Sequence, residues 1–222
     1  MGSMITLKAS DGFSFQGYLA EPSGAPVGGL VVIQEIFGVN QHIRSLVDRF
    51  AGDGFCALAP AIFDRVEKNV DLGFDQSSMQ KGIGLAGKLS MDDAVRDVDA
   101  AIQYLQKATG KPPVVVGYCY GGTLAWLSAT RLHPAAAVGY YGGYIANFVG
   151  ETPTVPVMLH FGLNDDHIPQ ADVDKVQAAH PEVEIYRYPT GHAFNNDMRS
   201  SYDPASANEA LARTLPFLRK YA

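Results

Sequence analysis

Two cysteines in 222 residues are too few for a disulfide framework, and neither belongs to a CxxC pair. HExxH and clustered His/Cys spacings are missing as well, which excludes the common zinc patterns. No apolar run approaches the roughly 18 residues that a membrane-spanning helix needs. Basic residues are in the minority: 17 Lys and Arg against 23 Asp and Glu leave a formal charge of −6. That balance argues against nucleic acid or an anionic membrane surface as a partner. There is no basic-then-apolar secretory start, no internal repeat, no low-complexity tract and no block of like charge. What remains is 47% apolar and 18% charged, with a length that suits one α/β domain. The matching expectations are reduced thiols, a cytoplasmic location, a monomer, and neither cofactor nor metal. Met1-Gly2-Ser3 ahead of Met4 reads as a cloning remnant, so the domain is taken as residues 4–222.

Along the chain, residues 4–9 and 13–20 flank Asp11-Gly12 as a hairpin. "GLVVIQEI" (29–36) and "FCALAPAIF" (55–63) read as buried strands, separated by a helical pattern over 40–51. From Asp64 to about Lys88 the periodicity fails and glycines accumulate, the signature of a long irregular excursion with room for a short helix, of the kind that often serves as a lid or pocket wall. Ser90 and Asp93 form a capping box for a helix running to about 107. Strands at 113–117, 136–141, 155–161 and 183–188 then alternate with helices near 121–131, 170–179 and 204–220. This alternation predicts a mostly parallel central sheet with helices on both faces. Ligands of such sheets bind at the carboxyl ends of the strands.

Four chemically interesting residues sit at such ends: Glu35, Cys119, Asp165 and His192. Gly117-Tyr118-Cys119-Tyr120-Gly121 is a G-x-C-x-G pattern, the nucleophile elbow with cysteine in place of serine. The order nucleophile, acid, histidine is that of α/β-hydrolase triads. A thiol with an ordinary pKa of about 8.5 is mostly protonated at neutral pH, so it needs an imidazole to take its proton and a carboxylate to hold the ring. The glycines leave room for the strained turn and for helix amides to approach a developing oxyanion.

"QEIFGVN" (34–40), "GYCYGG" (117–122), "GLNDDHIP" (162–169) and "YPTGHAF" (188–194) together resemble the dienelactone hydrolase family, in that family's order and over nearly the whole chain. The resemblance implies an α/β-hydrolase fold without a separate cap domain. It also implies Cys119 as nucleophile, His192 as base and Asp165 as orienting acid. The oxyanion hole would come from the Ile36 and Tyr120 amides, and Glu35 would stand near the thiol and tune thiolate formation. Asp165 rather than Asp166 fits the family's G-x-x-D. The best-known members carry an arginine four residues after the histidine, where it meets a substrate carboxylate; here that position is Asn196. Lys81, Arg65 or Arg199 are the cations considered in its place, and Phe37 and Tyr141 are further expected pocket residues. The implied substrate is a small lactone or ester of dienelactone type, opened through a thioacyl-enzyme. A general carboxylesterase or thioesterase, and a non-catalytic small-molecule binding module, are the alternatives.

Plainer readings apply elsewhere. Cys56, between Phe55 and Ala57, is a core residue. His160, inside an apolar strand, is a satisfied core histidine, whereas His133 and His180 precede prolines near helix ends and are read as solvated. His167 adjoins the acid loop, and Trp126 belongs to the core.

Overall fold

The computed structural model describes all 222 residues as an eight-stranded sheet between two helical layers. The strands are β1 (Ser3–Lys8), β2 (Ser14–Ala20), β3 (Gly29–Ile33), β4 (Cys56–Pro60), β5 (Val114–Tyr118), β6 (Ala137–Tyr140), β7 (Val157–Gly162) and β8 (Glu184–Tyr188). Their spatial order is β1-β2-β4-β3-β5-β6-β7-β8. The β1–β2 hairpin lies antiparallel along β4, and every pairing from β4 to β8 is parallel. Every residue of β3, β4, β5, β6 and β7 is buried, which is why their sequences run apolar without alternation.

The helices are α1 (Gln41–Gly52), α2 (Gln76–Lys88), α3 (Met91–Thr109), α4 (Tyr120–Arg131), α5 (Gln170–Ala179) and α6 (Pro204–Tyr221). Local chemistry sets their ends. Asn40 caps α1 by accepting the Ile43 amide at 3.2 Å, and Ser90 caps α3 by accepting that of Asp93 at 3.1 Å. Gly110 closes α3 in the left-handed conformation, φ 78°. One apolar face of α3, including Ala94, Val98, Ala101, Ile102 and Leu105, is fully buried against the sheet.

The order places β3 between β4 on one side and β5 on the other, so the chain reverses its direction of travel across the sheet there. Such a switch point opens a crevice beyond the strand ends, because the connections on its two sides leave in opposite directions. Residues just after β3 and β5 face each other across it, with Ile33 paired to Gly117.

Two local expectations change. The 64–88 excursion is largely ordered: a 3-10 turn covers Ile62–Arg65 and α2 fills thirteen residues. Asp75 caps α2 by accepting the Ser78 amide at 3.0 Å, and glycines at 82, 84 and 87 masked the helix because glycine ordinarily weakens one. Residues 2 and 3, ahead of the domain start taken at Met4, make contacts with it: Ser3 pairs with Leu19 in β1, and the Gly2 amide donates to Asp48 Oδ1 at 2.8 Å. His180 is buried rather than solvated, with Nε2 2.7 Å from the Val149 carbonyl and the ring against Trp126.

Candidate active site

Between β5 and α4 the chain turns within one residue. Cys119 takes φ 52° and ψ −114°, a conformation that side chains rarely adopt, and leads straight into the first turn of α4. The turn closes only because its flanks lack side chains. A Cβ on Gly117 would lie 1.9 Å from the Gly121 carbonyl oxygen, and one on Gly121 would lie 2.4 Å from that of Ile33. Cys119 is left half-buried at the mouth of the crevice.

His192 and Asp165 reach it from the ends of β8 and β7. Asp165 Oδ1 accepts the His167 and Ile168 amides at 2.8 and 3.1 Å, and its Oδ2 stands 2.8 Å from His192 Nδ1. A carboxylate facing Nδ1 favours the proton there, so Nε2 is turned to Cys119 Sγ at 3.3 Å. Burial by itself favours the neutral ring. The negative charge on Cys119 and the hydrogen bond to Asp165 outweigh it, and the His192 pKa is pushed up to about 10. The arrangement therefore favours the protonated, charged form of the His192 ring. Asp166 stands in solvent with its side chain 85% exposed.

Other expected residues separate into two groups. Ile36, Phe37, Tyr120 and Arg199 line a largely apolar cavity of about 250 Å³ together with Cys119 and His192. The Ile36 and Tyr120 amides donate to no acceptor in the protein. Arg199 holds its guanidinium 5.7 Å from the centre of the Phe37 ring and makes no ion pair.

Asn196, Tyr141 and Lys81 do not line the cavity. Asn196 is fully buried, with Nδ2 donating to Glu35 Oε2 at 2.7 Å, so it holds the glutamate behind the cavity wall. Tyr141 is also fully buried, its ring 5.0 Å from that of His192 and its hydroxyl without a partner. Lys81 points away to Glu67, at 2.6 Å. Arg65 is tied to Asp11 and Asp97 on another part of the molecule. Glu35 is buried, and its carboxyl bonds Asn196 rather than the thiol, leaving Oε1 without a partner.

Sequence reasoning missed Met79 and Ile83 of α2 and Tyr144, all on the cavity wall. The signal for the first two lay in the excursion itself, where apolar residues four apart sit behind an Asp-Gln-Ser-Ser start. His167, expected near the acid loop, also lines the cavity. No three His, Cys, Asp or Glu side chains gather in a way that would hold a metal ion, and no helix is long and apolar enough to cross a membrane.

Known proteins resemble this chain over most of its length. The model of the "Dienelactone hydrolase family" matches residues 15–222. A "Putative carboxymethylenebutenolidase" of Synechocystis sp. is 34% identical over 87% of this chain and 87% of its own length. Carboxymethylenebutenolidase 1 of Cupriavidus pinatubonensis is 30% identical over 96% of this chain and 95% of its own. Among solved structures, a "Putative Dienelactone Hydrolase" from Klebsiella pneumoniae superposes with a TM-score of 0.83 at 29% identity, covering 99% of this chain and 100% of that one. With the switch-point crevice, the elbow and these relatives in agreement, the chain belongs to the dienelactone hydrolase family and is an α/β-fold hydrolase acting on esters or lactones.

Proposed function

We propose that the protein opens a small ester or lactone through a covalent thioacyl-enzyme on Cys119. The observation that carries this reading is the continuous chain Asp165–His192–Cys119, at 2.8 and 3.3 Å, ending on a strained elbow beside two unpaired amides. The Cys119 thiolate attacks the acyl carbon, and the carbonyl oxygen takes the negative charge within reach of the Ile36 and Tyr120 amides. Collapse breaks the acyl–oxygen bond, and the leaving oxygen takes the proton from His192 Nε2. Water then gives a proton to His192 as it attacks the thioester, the C–S bond breaks, and the acid product leaves with the thiolate restored. Asp165 keeps the ring oriented and favours its charged form throughout.

The substrate reading rests on Arg199, a cation on the cavity wall without a carboxylate in the protein to pair with. In a cavity otherwise mostly apolar it favours a lactone or ester that carries its own carboxylate. The charge of −6 gives such an anion no long-range attraction, so its recognition has to be local.

The test is steady-state hydrolysis of a carboxylate-bearing dienelactone beside a neutral p-nitrophenyl ester. Wild type cleaves both and prefers the lactone, and Cys119→Ala cleaves neither while remaining folded. Arg199→Ala loses about 10- to 100-fold in kcat/KM on the lactone and little on the neutral ester. Turnover surviving in Cys119→Ala removes the nucleophile assignment. Equal losses on both substrates in Arg199→Ala remove the carboxylate assignment and leave a general esterase.

A further inference from the structure

The loop that carries the Ile36 amide is not held by the sheet, because β3 ends three residues earlier, at Ile33. It is held from outside by residues 71–82. Gly38 bridges to Asp71, the Leu72 amide donates to the Phe37 carbonyl at 3.0 Å, and Asn40 Nδ2 donates to the Leu72 carbonyl at 3.2 Å. The Phe37 ring meets Phe74 edge-on at 4.9 Å.

One contact falls on Ile36 itself. Helix α2 lies so close to the Ile36 carbonyl that a Cβ on Gly82 would stand 2.2 Å from its oxygen and 3.1 Å from its carbon. The other two glycines of this helix differ: a Cβ on Gly84 or Gly87 would meet nothing within 4 Å. Gly82 is therefore the glycine of α2 where a methyl group has no space, and the backbone it would strike is that of a cavity-lining residue whose amide is unpaired. The Ile36 carbonyl and amide share one Cα, so pushing the first turns or shifts the second. The same helix supplies Met79 and Ile83 to the cavity wall.

We infer that Gly82 is a positioning residue for ester hydrolysis: it lets α2 seat against Ile36 and so aims the Ile36 amide at the developing oxyanion. The inference rests on the thioacyl reading above. It gives the 64–88 segment the work of bracing the oxyanion site, with the cavity wall as its second product. Misplacing a reacting group by about 1 Å costs on the order of 100-fold in rate, and losing an oxyanion donor about 100- to 1,000-fold.

The experiment compares Gly82→Ala with Gly84→Ala, which adds the same methyl group to the same helix in open space. Three quantities are read for each: kcat and KM on a p-nitrophenyl ester, affinity for a trifluoromethyl ketone that forms an oxyanion on the thiol, and the rate of Cys119 alkylation by iodoacetamide. Alkylation needs the thiolate and no oxyanion donor, and Cys56 is too buried to compete. Gly82→Ala is expected to lose about 10- to 100-fold in kcat and as much in ketone affinity, with alkylation within about twofold of wild type. Gly84→Ala should match wild type in all three.

Wild-type kcat in Gly82→Ala, or alkylation falling as far as kcat, overturns the inference. Should Gly82→Ala fail to fold, Phe74→Leu loosens the same loop at Phe37, and the same split must appear at smaller size; its absence counts equally against the proposal. Failure of the underlying reading is seen separately, as ester turnover that survives Cys119→Ala.

Discussion

At the scale of single residues, the two neighbouring aspartates show how backbone contacts choose between equal side chains. Asp165 is pinned by two amides and faces His192, while Asp166 stands in water. Asp165→Asn should lower kcat by about 100- to 10,000-fold, because an amide nitrogen in place of Oδ2 favours the wrong tautomer of His192. Asp166→Asn should stay within about twofold, and steady-state kinetics of the pair separates them; equal losses would mean that the acid is misassigned. Asn196 holds the one polar bond of the buried Glu35 carboxyl. Asn196→Ala leaves that group with no partner and should cost about 2–4 kcal/mol in urea unfolding. An unchanged midpoint would show that the carboxyl is satisfied in another way.

At the scale of elements, a buried hydrogen-bond chain fastens α6 to the strands that carry the acid and the histidine. Thr214 Oγ1 of α6 meets the Tyr140 hydroxyl at 2.7 Å and His160 Nε2 at 2.9 Å, and His160 Nδ1 meets the Tyr188 hydroxyl at 2.9 Å. Thr214→Val keeps the shape but strands both partners in the core. It should lower stability by about 2–4 kcal/mol by chemical denaturation, with kcat falling far less than in Asp165→Asn. A neutral substitution would mean that the chain is decorative. Backbone strain is also concentrated: of four non-glycine residues at positive φ, Cys119, Tyr141 and Ala193 all border the candidate site. Such conformations persist only where surrounding packing imposes them. The tight seats of Gly117 and Gly121 show that packing directly.

For the whole molecule, two histidines predict opposite limbs of a stability–pH curve. Burial lowers the His160 pKa to about 3, far below the roughly 6.5 of an unfolded chain. The unfolded state then binds the extra proton, so His160 costs nothing above about pH 6.5 and subtracts stability as pH falls towards 3. The slope is at most about 1.4 kcal/mol per pH unit. His192 is shifted the other way, to about 10. Its stabilising share is complete below about pH 6.5 and fades as pH rises through 10. Urea titrations from pH 4 to 10 should therefore show a dome, and His192→Gln should flatten the alkaline limb while leaving the acid limb in place. An alkaline limb untouched by that substitution would contradict the raised pKa of His192.

Legibility followed the range of the forces involved. The buried parallel strands, the capped helices α1 and α3 and the glycine elbow are local patterns, and each is readable because its cause lies within a few neighbouring residues. The sequence by itself determined which groups are on offer: a cysteine at a glycine elbow, a histidine after the last strand and an aspartate placed by a motif. Only the tertiary structure decided what surrounds them. Asn196 moved from expected substrate contact to buried partner of Glu35, Lys81 turned outward to Glu67, and a glycine-rich stretch that looked irregular became a helix braced on Ile36. These outcomes depend on close approach between residues tens of positions apart, and such distances are set by how the layers pack rather than by any pattern along the chain.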